Sequence, residues 1–332
     1  MIKETNDASK NLDQLQRATT ASLKSVSRNQ TYKLHVMRDP VLHSALLRGV
    51  SRYIGGEKRS ECLEKAAHLQ TRGFLTILDY MGETISEKKT VEQIVVEFEA
   101  LIDAVAETPQ GCAISPDLSH IGLSIDSDLA LQNATRLAKR AKALGVEIML
   151  NMEDSTLTDK ILNVHCRLCE QFDNVGITLQ AYLYRTEKDL AEALQRPGRI
   201  RLVKGAYQEP SAIARTLGPE VDCAYSQFLK EILDRHHPCY IATHDQALLD
   251  HAHNWISQES VPPKGTEFEL NYGIRPDRAA KLRDLGYRVR IYLPYGSEWF
   301  LYLCHRVAEH APNLYQALID IIDGPHAALF ET

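Results

Sequence analysis

The chain has 332 residues, of which 44% are hydrophobic and 25% charged, and its formal net charge is −6. This composition supports a sizeable core and excludes disorder over most of the length. The mild acidity also argues against a nucleic-acid partner, because such binders present a basic face. Seven cysteines, an odd number in a long chain, do not resemble the disulfide framework of a secreted domain and point to a reducing compartment. Met1 to Lys10 mixes Glu4 and Asp7 with Lys3 and Lys10 and carries no apolar core, so no signal or transit peptide is expected. No apolar run reaches about 18 residues, so no transmembrane segment is expected either. The expectation is a cytoplasmic protein, with peripheral membrane contact left open.

Residues 1–50 read as a polar helical segment, and the pattern changes after Gly55 and Gly56. From residue 51 to residue 332, short apolar or β-branched runs alternate with amphipathic stretches of helical period. The first four runs are Phe74 to Tyr80, Cys112 to Leu118, Val146 to Met152 and Val175 to Tyr182. The next four are Arg199 to Gly205, Cys239 to Asp245, Thr266 to Tyr272 and Val289 to Gly296. Between them, stretches such as Asp128 to Leu144 place Ala and Leu at three- and four-residue spacing, the mark of a helix with one buried stripe. Alternation of this kind implies a parallel sheet. Eight units predict an α/β fold, a closed (βα)8 TIM-like barrel behind an N-terminal helical extension, with an open doubly wound sheet as the alternative. No GxGxxG follows the first strand, so the phosphate loop of a dinucleotide fold is missing.

A barrel builds its site where strands end. Asp79, Asp117, Asn151, Gln180, Lys204, His244 with Asp245, Glu269 with Asn271, and Tyr292 all fall near the ends of the predicted strands. One polar residue at a strand end is commonplace, but a succession of them predicts a shared polar cavity. A metal site is not expected. His244, Asp245, His251 and His253 run from a strand end into a helix and need not converge, and Cys166 with Cys169 after His165 is a lone CxxC. The most specific segment is Arg201-Leu202-Val203-Lys204-Gly205-Ala206-Tyr207. Its cations suit a cofactor on which negative charge develops, and its glycine permits close backbone approach; an exposed basic strand end is the alternative.

That segment, together with Leu179-Gln180-Ala181-Tyr182, Ala242-Thr243-His244-Asp245, Leu270 to Pro276 and Arg290 to Gly296, resembles the motifs of the proline dehydrogenase family. Order and spacing match from about Tyr53 to the C-terminus. The resemblance implies a (βα)8 barrel with non-covalent FAD that oxidises proline to the cyclic imine by hydride transfer to flavin N5. It also implies that Arg201 lies near N5, with Lys204, Gly205, Ala206 and Tyr207 continuing the cofactor wall. Gln180 would meet the isoalloxazine edge, and Thr243 and His244 the ribityl and phosphate region. Tyr292, Tyr302, Arg306 and Glu309 match residues that line the substrate in the family.

The substrate side also departs from the family pattern. The family's second strand ends with a Lys where this chain has Asp117, its third carries an Asp where this chain has Asn151, and its last helix carries an Arg pair of which His305-Arg306 retains the second. The three changes amount to a net shift of about two negative units where a substrate carboxylate would bind, and each charge pair at about 4 Å is worth ~4 kcal/mol at an effective dielectric of 20. Three readings follow. In the first, a small amine or imino acid other than free L-proline is oxidised, with Asp117 receiving a cationic or hydrogen-bond-donating group and Arg201, Tyr292 and Asp117 nearest the chemistry. The second is L-proline dehydrogenation with a rearranged clamp, and the third is a catalytically silent flavin-binding relative. A quinone or oxygen would accept the electrons.

Overall fold

The computed structural model describes residues 18, 22–23, 25–26, 29–82, 85, 87–108, 111–258, 264–309 and 311–323. Most of the polar segment preceding residue 29 therefore lies outside the described residues. In chain order, helices α1 (Gln30–Arg38), α2 (Pro40–Val50) and α3 (Arg59–Thr71) precede strand β1 (Leu75–Tyr80). There follow α4 (Lys88–Ala106), β2 (Ala113–Ile114), α5 (Ser127–Ala143), β3 (Glu147–Leu150), α6 (Thr158–Cys169) and β4 (Val175–Gln180). The second half holds α7 (Thr186–Ala193), β5 (Ile200–Val203), α8 (Pro219–Asp234), β6 (Cys239–Ala242), α9 (Gln246–Gln258) and β7 (Thr266–Asn271). It ends with α10 (Pro276–Asp284), β8 (Val289–Tyr295), α11 (Trp299–Glu309) and α12 (Ala311–Asp323).

The eight strands form one closed barrel in sequence order. Closure is made by β1 against β8, parallel from Leu75–Arg290 to Tyr80–Tyr295. The expected barrel is thus present and the open sheet is excluded, but several strands are shorter than their apolar runs. The second stops at Ile114, where Pro116 has no N–H for a ladder and a π-type turn over Ser119–Leu123 follows. The fifth stops at Val203, because Gly205 takes φ +111°, a left-handed conformation outside the strand region. Asp117, Asn151, Lys204, His244 and Asp245 therefore stand on loops above the barrel rather than within strands.

Strand alternation sorts the side chains. Leu78, Ile114, Ile148, Leu150, Leu179 and Ile241 belong to the large core between strands and helices. Helix α4 contributes Val91, Ile94, Val95, Phe98, Leu101, Ile102 and Val105 to that core, each worth about 1.5–3 kcal/mol when removed from water. The interior cluster is small, with Ile77, Ala113, Met149 and Tyr240 and the half-buried Tyr292 against them. Below it, buried Arg290 and Glu267 pair at 2.7 Å, and Arg290 also donates to the carbonyls of Thr76 at 2.6 Å and Gly111 at 2.7 Å. This satisfied polar plug fills the N-terminal end of the barrel, so an open site is left to the other end.

The terminal helices pack as a layer of their own. Trp299 is fully buried among Val50, Ile54, Met81 and Phe300 and donates its indole N–H to Glu57 at 2.8 Å. Helix α12 lies on α2, where Arg52 holds the fully buried Asp320 through two hydrogen bonds of 2.5 and 2.8 Å. All seven cysteines are free thiols.

Candidate active site

At the C-terminal end of the barrel the inward residues of β1, β5, β7 and β8 meet the loops after β2 and β3. Arg201, from β5, is 3% exposed. Its Nε contacts Glu269 of β7 at 2.9 Å, and its Nη1 donates to Asn151 Oδ1 at 2.7 Å and Ser115 Oγ at 2.9 Å. Asn151 passes the network on through its amide nitrogen, which donates to the Ser115 carbonyl at 3.2 Å and to Asp79 at 3.3 Å. Tyr292 of β8 donates a short hydrogen bond to the same Asp79 oxygen. The Asn at 151 has a physical reason here: an Asp in its place would set a carboxylate against Asp79 and the Ser115 carbonyl, whereas the amide presents N–H to both.

Three carboxyl groups share this floor. Burial, then the nearby Asp117, pushes Asp79 up to about 8 against the opposing hydrogen bond from Tyr292. Burial likewise raises Asp117, with Asn151 and Arg201 opposing. Glu153, which accepts the Ser119 backbone N–H at 2.9 Å, is raised to about 7 by burial and by Asp117. Burial thus favours the protonated form of all three carboxyls, Asp117 included. Tyr292 is pushed well above the usual phenol range by burial and by Asp79, and it acts as a donor only.

The residues expected at a cofactor lie on the adjoining strands and on the loops that follow them. Gln180 ends β4 and donates to the Glu153 carbonyl at 3.2 Å, while its buried Oε1 has no protein partner. Arg201 Nη2, on the neighbouring strand, is a buried donor that also lacks one. Gly205 lies so close to Tyr182 that an added Cβ would stand 2.2 Å from its ring, and Ala206 and Tyr207 beyond it are exposed at the barrel mouth. Buried Thr243 accepts the Asp245 backbone N–H at 3.1 Å.

Two of these residues have partners that the sequence does not reveal. Lys204 is not a bare cation on a cofactor wall. Its ammonium bridges Asp222 of α8 at 2.5 Å and Asp245 at 2.8 Å, and these carboxylates hold it above its ordinary pKa although burial opposes them. His244 is a neutral ring, lowered to about 3 by burial and by Arg306 and Arg275. Its Nε2 accepts the Asn271 backbone N–H at 2.9 Å, which leaves the ring proton on Nδ1. It offers a neutral N–H donor rather than charge.

On α11, Arg306 stacks over the Tyr302 ring at 5.1 Å, one helical turn away. The side chains of His305 and Glu309 lie outside the described residues. Sequence reasoning had placed Asp79 and Glu269 at strand ends without assigning them to the site, and it passed over Ser115 and Glu153. Asp79 and Glu269 carried a signal in their strand position. Ser115 and Glu153 carried none, because only the approach of the loops after β2 and β3, joined by the Asn151 N–H to the Pro116 carbonyl at 3.2 Å, brings them in.

Comparison with known proteins agrees with this geometry. The profile of the family described as proline dehydrogenase matches residues 62–316. The proline dehydrogenase of Deinococcus radiodurans is 34% identical over 267 residues, which cover 79% of this chain and 86% of that protein. Proline dehydrogenase 1 of Bacillus subtilis is 31% identical over 265 residues, 80% of this chain and 88% of that protein. Among solved structures, proline utilization A of Bdellovibrio bacteriovorus, inactivated by N-propargylglycine, superposes with a TM-score of 0.72 at 19% identity. That match covers 91% of this chain and 41% of the other, so this chain spans about two fifths of it, and the likeness concerns the fold.

Proposed function

The chain belongs to the proline dehydrogenase family, and on that premise we propose that it oxidises the C–N bond of a proline-like amine whose carboxylate is absent or masked. Membership makes it a flavin-dependent oxidoreductase acting on CH–NH groups. Its residues fit FAD. Gln180 Oε1 and Arg201 Nη2 are buried and lack protein partners, and Gly205 lets the loop after β5 pack directly on the Tyr182 ring. Arg201 and Gln180 would hold the ring edge, Gly205, Ala206 and Tyr207 its wall, and Thr243 and His244 the chain beyond, with Lys204 completing the loop scaffold through its two carboxylates. When bound, FAD supplies the two-electron acceptor for a hydride from the carbon next to nitrogen.

The observation that carries the substrate reading is Asp117, which faces Asp79 and Glu153 while Arg201 is already paired with Glu269. A substrate carboxylate entering beside these groups would keep them protonated or be repelled, at ~4 kcal/mol per charge pair near 4 Å for an effective dielectric of 20. A neutral or donor group at that position would be hydrogen-bonded instead. Tyr292 fixes Asp79, and Tyr302 with Arg306 borders the entrance on α11. Retention of Arg306 favours a second reading, L-proline dehydrogenation with the carboxylate held from one side.

Anaerobic mixing of the flavin-loaded protein with L-proline, L-prolinamide and pyrrolidine separates the two readings. Bleaching by the uncharged-substituent amines at lower concentration than by L-proline is the expected result, and the reverse order would establish the second reading. A protein that binds FAD but is bleached by no amine would refute both. Reoxidation of the bleached protein with a soluble quinone or with air identifies the electron acceptor, for which both are proposed. No helix among the described residues is long and apolar enough to cross a membrane, and we place the activity in the cytoplasm.

A further inference from the structure

The run His165-Cys166-Arg167-Leu168-Cys169 plays no part in the site at the barrel mouth. It forms the last turn of α6 at the opposite end of the barrel, where Cys169 Sγ lies within 4.0 Å of the Val175 carbonyl at the start of β4 and 3.7 Å from that of Pro197 ahead of β5. Of the seven cysteines, Cys62, Cys112, Cys239 and Cys304 are buried, whereas Cys166 and Cys169 are half-buried and Cys223 of α8 is exposed. Both sulfurs of the α6 pair have polar partners. Arg196 Nη2 donates to Cys166 Sγ at 3.3 Å, and Cys169 Sγ lies 3.2 Å from Nε2 of the buried His165. A metal does not explain this grouping, because no three His, Cys, Asp or Glu among the described residues could hold one.

We propose that Cys166 and Cys169 form an oxidisable dithiol, in which a peroxide oxidises Cys166 and Cys169 then closes a disulfide that a thiol reductant reopens. The step balances. Cys166 Sγ attacks one peroxide oxygen, the O–O bond breaks, and the other oxygen leaves with the thiol proton as water or an alcohol. A sulfenic acid remains on Cys166. Cys169 Sγ then attacks Cys166 Sγ, the S–O bond breaks as the S–S bond forms, and the hydroxyl leaves as water with the Cys169 proton, which passes through His165. The two thiols lose two electrons and the peroxide gains them. The inference is independent of the amine chemistry at the other end of the barrel.

The surroundings assign the two roles. Burial pushes Cys169 up to about 11, with Arg196 opposing, so this sulfur waits as a thiol. His165 is a neutral ring, lowered to about 4 by burial, and with its proton on Nδ1 its Nε2 accepts the thiol proton when Cys169 attacks. At Cys166 the fixed guanidinium of Arg196 stabilises negative charge that develops on the departing peroxide oxygen. The nearest carboxylate to that guanidinium, Glu192 at 3.9 Å, is half exposed and screened by water. Helix geometry sets reversibility. Side chains three residues apart have Cβ atoms about 5–6 Å apart, and a disulfide draws them to about 3.5–4.5 Å. Cys169 is the final residue of α6 and the Glu170 N–H turns to the Leu168 carbonyl, so the helix end can tighten to close the bond. A bond closed against helix geometry at a half-exposed position is readily reduced.

Trypsin provides the test, because it cuts after Lys160, Arg167 and Arg185 and so separates the two sulfurs. The full chain is treated with a small molar excess of hydrogen peroxide, blocked with an alkylating agent and digested without reductant. Fragments 161–167 and 168–185 are expected as one disulfide-linked species, formed before the more exposed Cys223 is oxidised and lost on treatment with dithiothreitol. Oxidation of Cys223 while the two fragments remain unlinked would overturn the proposal, and this result needs no variant. In Cys169→Ser the reaction should stop at the sulfenic acid, which dimedone traps on fragment 161–167; no trapped adduct there would also overturn it. Arg196→Met should slow linkage about tenfold or more, as for loss of a hydrogen bond to a charged group. Linkage as fast as in wild type would show that exposure alone, and not this cluster, governs the reaction.

Discussion

Removal of the Glu269 charge perturbs the part of the site with the least capacity to relax. Arg201 and Glu269 are 3% and 5% exposed, and the pair is held at 2.9–3.1 Å through Arg201 Nε. In Glu269→Ala the guanidinium would keep Asn151, Ser115 and a distant Thr178 as hydrogen-bond partners and the Tyr240 and Tyr292 rings beside it. Breaking a buried pair by deleting one partner costs about 3–5 kcal/mol, in line with ~4 kcal/mol for two charges near 4 Å at an effective dielectric of 20. Glu269→Gln retains an acceptor and should cost less, about 1.5–3 kcal/mol, the worth of a hydrogen bond to a charged group. The double replacement Arg201→Met with Glu269→Leu removes both charges and should recover most of the stability. Urea unfolding of the flavin-free protein, followed through Trp255 and Trp299 fluorescence, provides the free energies. A loss below about 1 kcal/mol for Glu269→Ala, against the ~3 expected of a buried pair, would refute the reasoning. So would a double variant as unstable as the single one. The double variant should fold yet show no amine-driven bleaching, which separates the catalytic worth of Arg201 from its structural worth.

Three further outcomes are expected. Asp79 and Glu153 bind protons more tightly folded than unfolded, rising from 3.8 to about 8 and from 4.5 to about 7. Their contribution to stability is therefore present at acid pH and lost as pH climbs toward 8. Asp79→Asn should flatten the decline of the urea midpoint over that window, and an unchanged slope would contradict the assignment. Gly205→Ala would force a Cβ to within 2.2 Å of the Tyr182 ring at a backbone φ of +111°, and FAD affinity measured by flavin fluorescence should drop at least tenfold, about 1.4 kcal/mol, while far-UV circular dichroism is retained. Asp320→Ala leaves Arg52 without its fully buried partner, so limited proteolysis should cut α12 early while the barrel persists. Equal protease resistance would show that the terminal layer does not depend on this pair.

Local pattern alone carried the barrel. The eight runs from Phe74 to Gly296 had the length and spacing of buried parallel strands, and helices such as α5 displayed their stripe openly. Strand ends predict a polar mouth for the same reason, since periodicity determines which residues arrive last on each strand. The motif around Arg201 was likewise readable, because it is contiguous in sequence. Partnership was not readable. Lys204 read as a cation of the cofactor wall until α8 brought Asp222 to it, and the neutral state of His244, set by burial and then by Arg306 and Arg275, needed the folded chain. Asp117 read as a lone reversal of charge, and only the folded chain set it beside Asp79 and Glu153, where burial and repulsion return protons to the group. Sequence by itself thus determined the scaffold and the ring of polar residues upon it, because both follow from the period of the chain. Protonation and pairing depend on distances between loops far apart in sequence and on exclusion of water, and these were decided by the tertiary structure alone.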